Sequence, residues 1–149
     1  MQLTGNHRFE AAPSQIWPLL MDTDTLARIV PGMQKLEKVE EGSYKSTLGV
    51  KLGPVNAAFT GQLQMEEVKE QEGFTLKVQQ NSKVGNASAA IGIQLTPTAE
   101  GGTEVSFDGD VKLSGMLASM GQRLIGSVAS TLSKQFFSNM EKELAQLST

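Results

Sequence analysis

A few polar side chains lie at positions that the alternating strand pattern places on the inward face of a sheet. These are the residues that could act in catalysis or in ligand binding. His7, Tyr44 and Gln80 are the main ones. An imidazole can act as a general base or bind a metal, but it needs partners for either task. His7 is the only histidine, the chain has no cysteine, and no carboxylate shares its predicted face. We therefore expect no metal site and no catalytic residues, and interpret these groups as polar contacts in a pocket or at its rim.

Arg123 is the one charge in the apolar, small-residue run 115–133. Burying an unpaired guanidinium is very costly, so its side chain must reach water or an acceptor. Two placements stay open at this stage. Arg123 either extends to solvent or pairs with Asp108 or Asp110, or it lies at a pocket entrance and binds a ligand carbonyl, a ligand carboxylate or a partner's acid.

The bulk composition is typical of a globular protein, and a length of 149 residues predicts a single domain over 1–149. The net charge of −3 and the lack of a basic cluster argue against nucleic acid as a partner. The polar start and the absence of a long apolar run predict a cytoplasmic protein without a transmembrane segment. Peripheral membrane contact stays open, and no cofactor is expected.

The elements that must position these side chains follow from the hydrophobic periodicity. A strand over 2–9 precedes two short helices, one starting at Pro13 and one ending before Pro31. Alternation with a period of two then recurs from Met33 to Leu113, which predicts about six antiparallel strands with one apolar face. Apolar residues at helical spacing predict a long helix from about Ser114 to Leu147.

One apolar sheet face and one long helix predict an α+β helix-grip fold. In this fold a curved antiparallel sheet of about seven strands wraps around the C-terminal helix, with two short helices after strand 1. The small residues on the inward face have two interpretations: they let the helix pack close to the sheet, or they leave an apolar cavity. The large residues expected to line such a cavity are Trp17, Leu20, Leu48, Phe59, Phe74, Leu76, Phe107, Met120 and Leu124.

Three segments resemble the carbon monoxide dehydrogenase CoxG family, within the START-like (SRPBCC, Bet v-type) superfamily. They are "VKLGPV" from Val50 with the following "FTG", "GNASA" from Gly85, and "GQRLI" from Gly121 leading to "QFF". The superfamily resemblance also rests on the "APSQIW" and "IVPG" segments around the two short helices. It extends over nearly the whole chain.

The resemblance implies a fold that encloses an apolar pocket, and an accessory protein rather than a catalytic component. Family members are associated with molybdenum-containing CO dehydrogenase and related hydroxylases, with membrane recruitment, and with lipid-like ligands such as quinones. From this we expect a non-catalytic protein that binds an apolar small molecule and serves a molybdenum hydroxylase complex. The alternatives are a cyclase- or dehydratase-like START-family enzyme and a pure protein-docking module.

Overall fold

The computed structural model describes residues 1–147, and its order of elements confirms the predicted helix-grip fold. The elements are β1 (Gln2–Phe9), α1 (Pro13–Met21), α2 (Thr23–Ile29), β2 (Met33–Glu40), β3 (Ser43–Leu52), β4 (Val55–Lys69), β5 (Gly73–Ser82), β6 (Gly85–Pro97), β7 (Thr103–Leu113), α3 (Met116–Ser119) and α4 (Gln122–Leu147).

The seven strands form one antiparallel sheet in the order β1-β7-β6-β5-β4-β3-β2. Strands β2 to β7 form a meander of hairpins, and β1 pairs with β7 with Gly5 opposite Phe107. Burial alternates along β1 and along the first half of β4, with Ala57 and Phe59 buried and their neighbours exposed. The period of two therefore marks the face that packs inward, as the sequence predicts.

Helices α1 and α2 close one part of the inner face. Pro13 begins α1, where its missing N–H costs nothing, and the Asp22 carboxylate caps α2 by accepting from the Thr25 amide at 3.0 Å. Ile16 and Ile29 are fully buried in the main core. This core is formed by residues of α1, α2, α4 and strands β1, β5, β6 and β7.

The C-terminal helix differs from the prediction of one continuous helix from Ser114. A single turn, α3, comes first, and α4 begins only at Gln122. The break falls at two glycines, Gly115 with φ +67° and Gly121 with φ +88°, which adopt left-handed conformations that other residues avoid. Apolar residues continue at helical spacing across the break, so periodicity alone predicts one helix.

The C-terminal half of α4 holds the helix on the molecule. Phe137 and Met140 are its buried residues, and no residue of α4 before Phe137 is fully buried. Polar contacts lie in the same half: Glu143 accepts from the Nε of Arg28 at 2.6 Å, and the Asn139 amide donates to the Ile29 carbonyl at 3.1 Å. The first half of α4 instead covers the sheet loosely.

A second, smaller core forms where the β3–β4 turn, the β5–β6 turn and the β7–α4 connection meet. Leu117 of α3 is buried there, and its backbone amide donates to the Val84 carbonyl at 3.0 Å. Leu52, Ala57 and Phe59 pack with it. We call this end of the molecule, residues 51–56, 82–86 and 112–123, the tip. Within residues 1–147, no helix is long and apolar enough to cross a membrane.

Candidate functional site

An apolar cavity of about 310 Å³ lies between the sheet and α4. It exists because the first half of α4 stands away from the strands, while α1 and α2 fill the inner face only at one end. Its volume is at the small end of the range for ligand sites. Its lining comes from α1, the two residues that follow α2, α4 and five strands: Leu3, Leu20, Val30, Pro31, Leu48, Val50, Leu76, Ile91, Ile93, Val105, Phe107, Ala129, Leu132, Ser133, Phe136 and Phe137.

The cavity wall contains almost no polar chemistry. Ser133 contributes the only polar side chain among the lining residues, and its hydroxyl donates to the Ala129 carbonyl of the preceding turn at 2.9 Å. A hydroxyl already bonded to its own helix offers little to a ligand. The wall carries no acid, no base and no nucleophile beyond that serine, so it suits an apolar molecule held by shape and by the hydrophobic effect.

Four of the large residues predicted to line a cavity are on this wall: Leu20, Leu48, Leu76 and Phe107. They come from α1, β3, β5 and β7, so the structure brings together residues far apart in sequence. We predict that each of these four residues contacts a bound ligand.

The other five predicted residues lie outside the cavity lining. Trp17 packs edge-on against Phe74 with ring centroids 6.0 Å apart, and both rings are buried in the main core beneath α1. Phe59 is buried in the second core, and Met120 packs against that core. Leu124 is half-buried in the first turns of α4. The strand pattern gives the correct face for the strand residues, but α1 and α3 cover them.

His7 lies at the edge of the cavity, behind Phe137. Its ring stacks on Phe137 with centroids 5.2 Å apart and planes inclined by 13°. Its Nε2 is 3.3 Å from Oε1 of Glu141, a carboxylate that α4 brings from the far end of the chain. Both side chains are partly exposed, at 38% and 49%. The sequence analysis missed this partner because Glu141 belongs to a different element.

Tyr44 and Gln80 are buried on the inner face but are not part of the cavity wall. The Gln80 amide donates to the Ser46 hydroxyl at 2.9 Å, although β4 lies between their strands. Gly61 is the β4 residue paired with both, and its missing side chain leaves room for this contact. Gln80 Oε1 is buried and has no hydrogen-bond partner in the part of the chain that the structure describes.

Arg123 is exposed on the first turn of α4, at the tip. The two carboxylates considered as its partners are occupied elsewhere: Asp110 pairs with the Met1 amino group at 3.1 Å, and Asp108 accepts from the Gln2 amide. Within residues 1–147 we find no hydrogen bond or ion pair to Arg123. Arg123 is not among the residues that line the cavity, and the binding of a ligand or of a partner's acid by its guanidinium stays a prediction.

Most of the wall comes from residues that the sequence analysis placed on the inner face without choosing them. Ile91, Ile93 and Val105 alternate inward on β6 and β7, and Leu132 and Phe136 follow the helical spacing. The signal that finds them is therefore present. The pattern does not show where along the inner face of the sheet α1 stops covering the strands and the cavity begins.

Two larger depressions, of about 760 and 520 Å³, lie on the outer face of the sheet. Polar side chains such as Lys45, Gln62 and Gln79 line them, so a much larger share of their surface is polar than in the cavity beneath α4. Among residues 1–147, no group of three or more His, Cys, Asp or Glu side chains is placed to hold a metal ion.

Comparison with known proteins agrees with this geometry. The family model for CoxG of carbon monoxide dehydrogenase matches residues 5–145. No curated protein matches the chain.

Solved structures share the fold over nearly the full length. A conserved protein from Geobacillus kaustophilus is 26% identical, with a TM-score of 0.93, and the match covers 98% of this chain and 96% of that one. A START superfamily protein from Mycobacterium smegmatis is 10% identical, with a TM-score of 0.77 and 98% of both chains covered. The ZhuI aromatase/cyclase from Streptomyces sp. R1128 is 13% identical, with a TM-score of 0.74, covering 100% of this chain and 96% of that one.

Proposed function

Because the chain belongs to the carbon monoxide dehydrogenase CoxG family, we propose that it is a non-catalytic accessory protein that binds an apolar small molecule, lipid- or quinone-like, in the cavity beneath α4. The observation that carries the proposal is the composition of the wall, which is apolar except for Ser133. The family and the START-like fold support a ligand-binding accessory role.

Such a wall selects its ligand by size and shape. With no free donor or acceptor on it, a polar head group gains nothing by entering and loses its hydration, at a cost of about 1–3 kcal/mol for each group left unpaired. The ligand therefore buries its apolar part in the cavity and leaves any carbonyl or hydroxyl near the opening. We expect affinity to change in steps among related apolar molecules, because a missing methylene weakens binding by about 1–3 kcal/mol, roughly 10–200-fold.

We also propose that the protein acts in the cytoplasm beside a molybdenum-containing CO dehydrogenase-type enzyme. The support for this partner is family membership. Co-purification with an enzyme encoded by a neighbouring gene tests this partner. If the protein captures no such enzyme under conditions where it binds its apolar ligand, the partner proposal is contradicted.

A catalytic role is the alternative that the aromatase/cyclase likeness favours. Close to the cavity His7 pairs with Glu141, and the imidazole stacks on Phe137, which is itself a residue of the wall. Turnover of a cyclisation or dehydration substrate that is lost in His7→Ala, with the fold intact, would support the enzyme. Ligand binding that is unchanged in His7→Ala supports the accessory protein.

Displacement of a fluorescent probe tests the binding proposal. The probe anilinonaphthalene sulfonate is bound first, and menadione or decanoic acid is then added as competitor. We expect both competitors to displace it from the wild type. Ala129→Phe places a ring in the cavity and should abolish displaceable binding.

Ser130→Phe is the matched control, because Ser130 is exposed on the same helix and the change adds the same ring to solvent. Equal loss in both variants, or displacement that Ala129→Phe leaves untouched, would contradict binding in this cavity.

A further inference from the structure

An open depression of about 470 Å³ lies beside α4, where the helix passes the turn between α2 and β2. Pro31 and Gly32 form one side of it, and five polar side chains of α4 form the other: Lys134, Gln135, Ser138, Asn139 and Lys142. Pro31 also lines the apolar cavity, and it is the one residue that the two spaces share. The depression therefore adjoins the cavity at Pro31.

Both sides of the depression are held in place by backbone contacts. The Gly32 carbonyl accepts from the Gly49 amide of β3 at 2.8 Å, which ties the turn to the sheet. The side-chain amide of Asn139 donates to the Ile29 carbonyl at 3.1 Å, which ties α4 to the end of α2. The depression is therefore formed before a ligand binds, and a ligand does not have to order it.

The helix side of the depression is basic. Lys134, Ser138 and Lys142 follow one another at intervals of four residues, so they lie on the same side of α4 and all three are exposed. The Cα atoms of the two lysines are about 12 Å apart along the helix, with Ser138 midway. Two extended lysine side chains can therefore converge on one anion above Ser138. The lining of the depression contains no acidic residue.

The carboxylates on the same part of α4 are paired with other groups. Glu141 lies 3.3 Å from Nε2 of His7, and Glu143 accepts from Nε of Arg28 at 2.6 Å. In the part of the chain that the structure describes, neither lysine of the depression takes part in an ion pair. An anion in the depression would therefore meet two cations that no carboxylate neutralises.

We propose that this depression binds the head group of the ligand whose apolar tail occupies the cavity, and that the ligand is a single-chain amphiphile with an anionic head. The inference rests on the proposed function, because the tail needs the cavity beneath α4. The cavity wall offers no free donor and cannot distinguish an acid from a neutral molecule with the same tail. Lys134 and Lys142 supply that distinction just outside it. A cavity of about 310 Å³ suits one apolar chain better than two.

Displacement of an uncharged probe by two ten-carbon competitors tests the proposal. N-phenyl-1-naphthylamine is bound first at about pH 8, where a carboxylic acid is ionised, and decanoate or 1-decanol is then added. Each exposed ion pair contributes about two- to fivefold in affinity. We therefore expect Lys134→Gln with Lys142→Gln to lower the affinity for decanoate about four- to 25-fold and to leave that for decanol unchanged. Raising the salt concentration should weaken decanoate binding only.

Two further variants locate the effect. Lys51→Gln with Lys83→Gln is the matched control, because it removes the same charge from exposed positions at the tip and should leave both affinities unchanged. Ser138→Glu places a carboxylate between the two lysines of α4, so it should weaken decanoate binding and spare decanol binding.

The ratio of the decanoate affinity to the decanol affinity decides the outcome. An unchanged ratio in Lys134→Gln with Lys142→Gln, or an equal fall of the ratio in the two double variants, would overturn the head-group site. If decanol displaces the probe while the ratio does not depend on these lysines, the cavity proposal stands and the head-group site is wrong. If neither competitor displaces the probe from the wild type, both proposals are wrong.

Discussion

Replacing either of two apolar side chains of α4 by alanine should lower the free energy of unfolding by unequal amounts. Met140 is completely buried, so Met140→Ala removes a core side chain and leaves a cavity; we expect a loss of about 3 kcal/mol from a range of about 2–5. Leu132 is half-buried and already borders empty space, so Leu132→Ala should cost only about 1 kcal/mol. The difference follows from how the two halves of α4 contact the molecule.

Urea unfolding followed by far-UV circular dichroism measures both losses. For a chain of this size, about 3 kcal/mol corresponds to a fall in Tm of about 6–12 °C. Amide hydrogen exchange should show the same asymmetry, with stronger protection around Phe137 and Met140 than in the first turns of α4. Equal losses at the two positions, or a larger loss at Leu132, would refute the view that only the C-terminal half anchors this helix.

Three further predictions concern single contacts. Gly61→Ala should destabilise the sheet by several kcal/mol, since the added methyl would collide with the Gln79 carbonyl of β5, and a normal urea midpoint would contradict this. Ser46→Ala should cost about 1–3 kcal/mol because it removes the bond to the buried Gln80 amide, whereas adding Gln80→Leu should recover part of that loss in a double-mutant cycle. Asp22→Ala should cost about 0.5–2 kcal/mol at neutral pH. The hydroxyl and amide of Thr25 hold the pKa of Asp22 below its usual value, so the stabilisation exists above the unfolded pKa and is lost as pH falls through the lower folded pKa; a penalty that persists at low pH would argue against this cap.

The strand pattern predicts the fold well because a period of two directly reports which face packs inward. The prediction is weaker at the C-terminal helix. Gly115 and Gly121 mark the break, yet Leu117, Met120 and Leu124 keep a helical spacing across it. The spacing of apolar residues does not reveal which glycines adopt a positive φ and change the direction of the chain, because that conformation is set by the tertiary fold.

The candidate site is predicted in part for a related reason. Alternation correctly places Leu48 and Leu76 on the inner face, and both line the cavity. It places Phe59 and Phe74 on that face too, but Leu117 and Trp17 cover them. Which inward residues border empty space depends on where the helices end over the sheet, and that is set by tertiary packing.

Native mass spectrometry of the protein, purified without detergent and then mixed with menadione, tests the central claim most directly. The account predicts one bound molecule per wild-type chain and per Ser130→Phe chain, and none on Ala129→Phe. A wild-type chain that binds no apolar molecule, from the cell extract or from added ligand, would contradict it. So would an Ala129→Phe chain that binds as the wild type does.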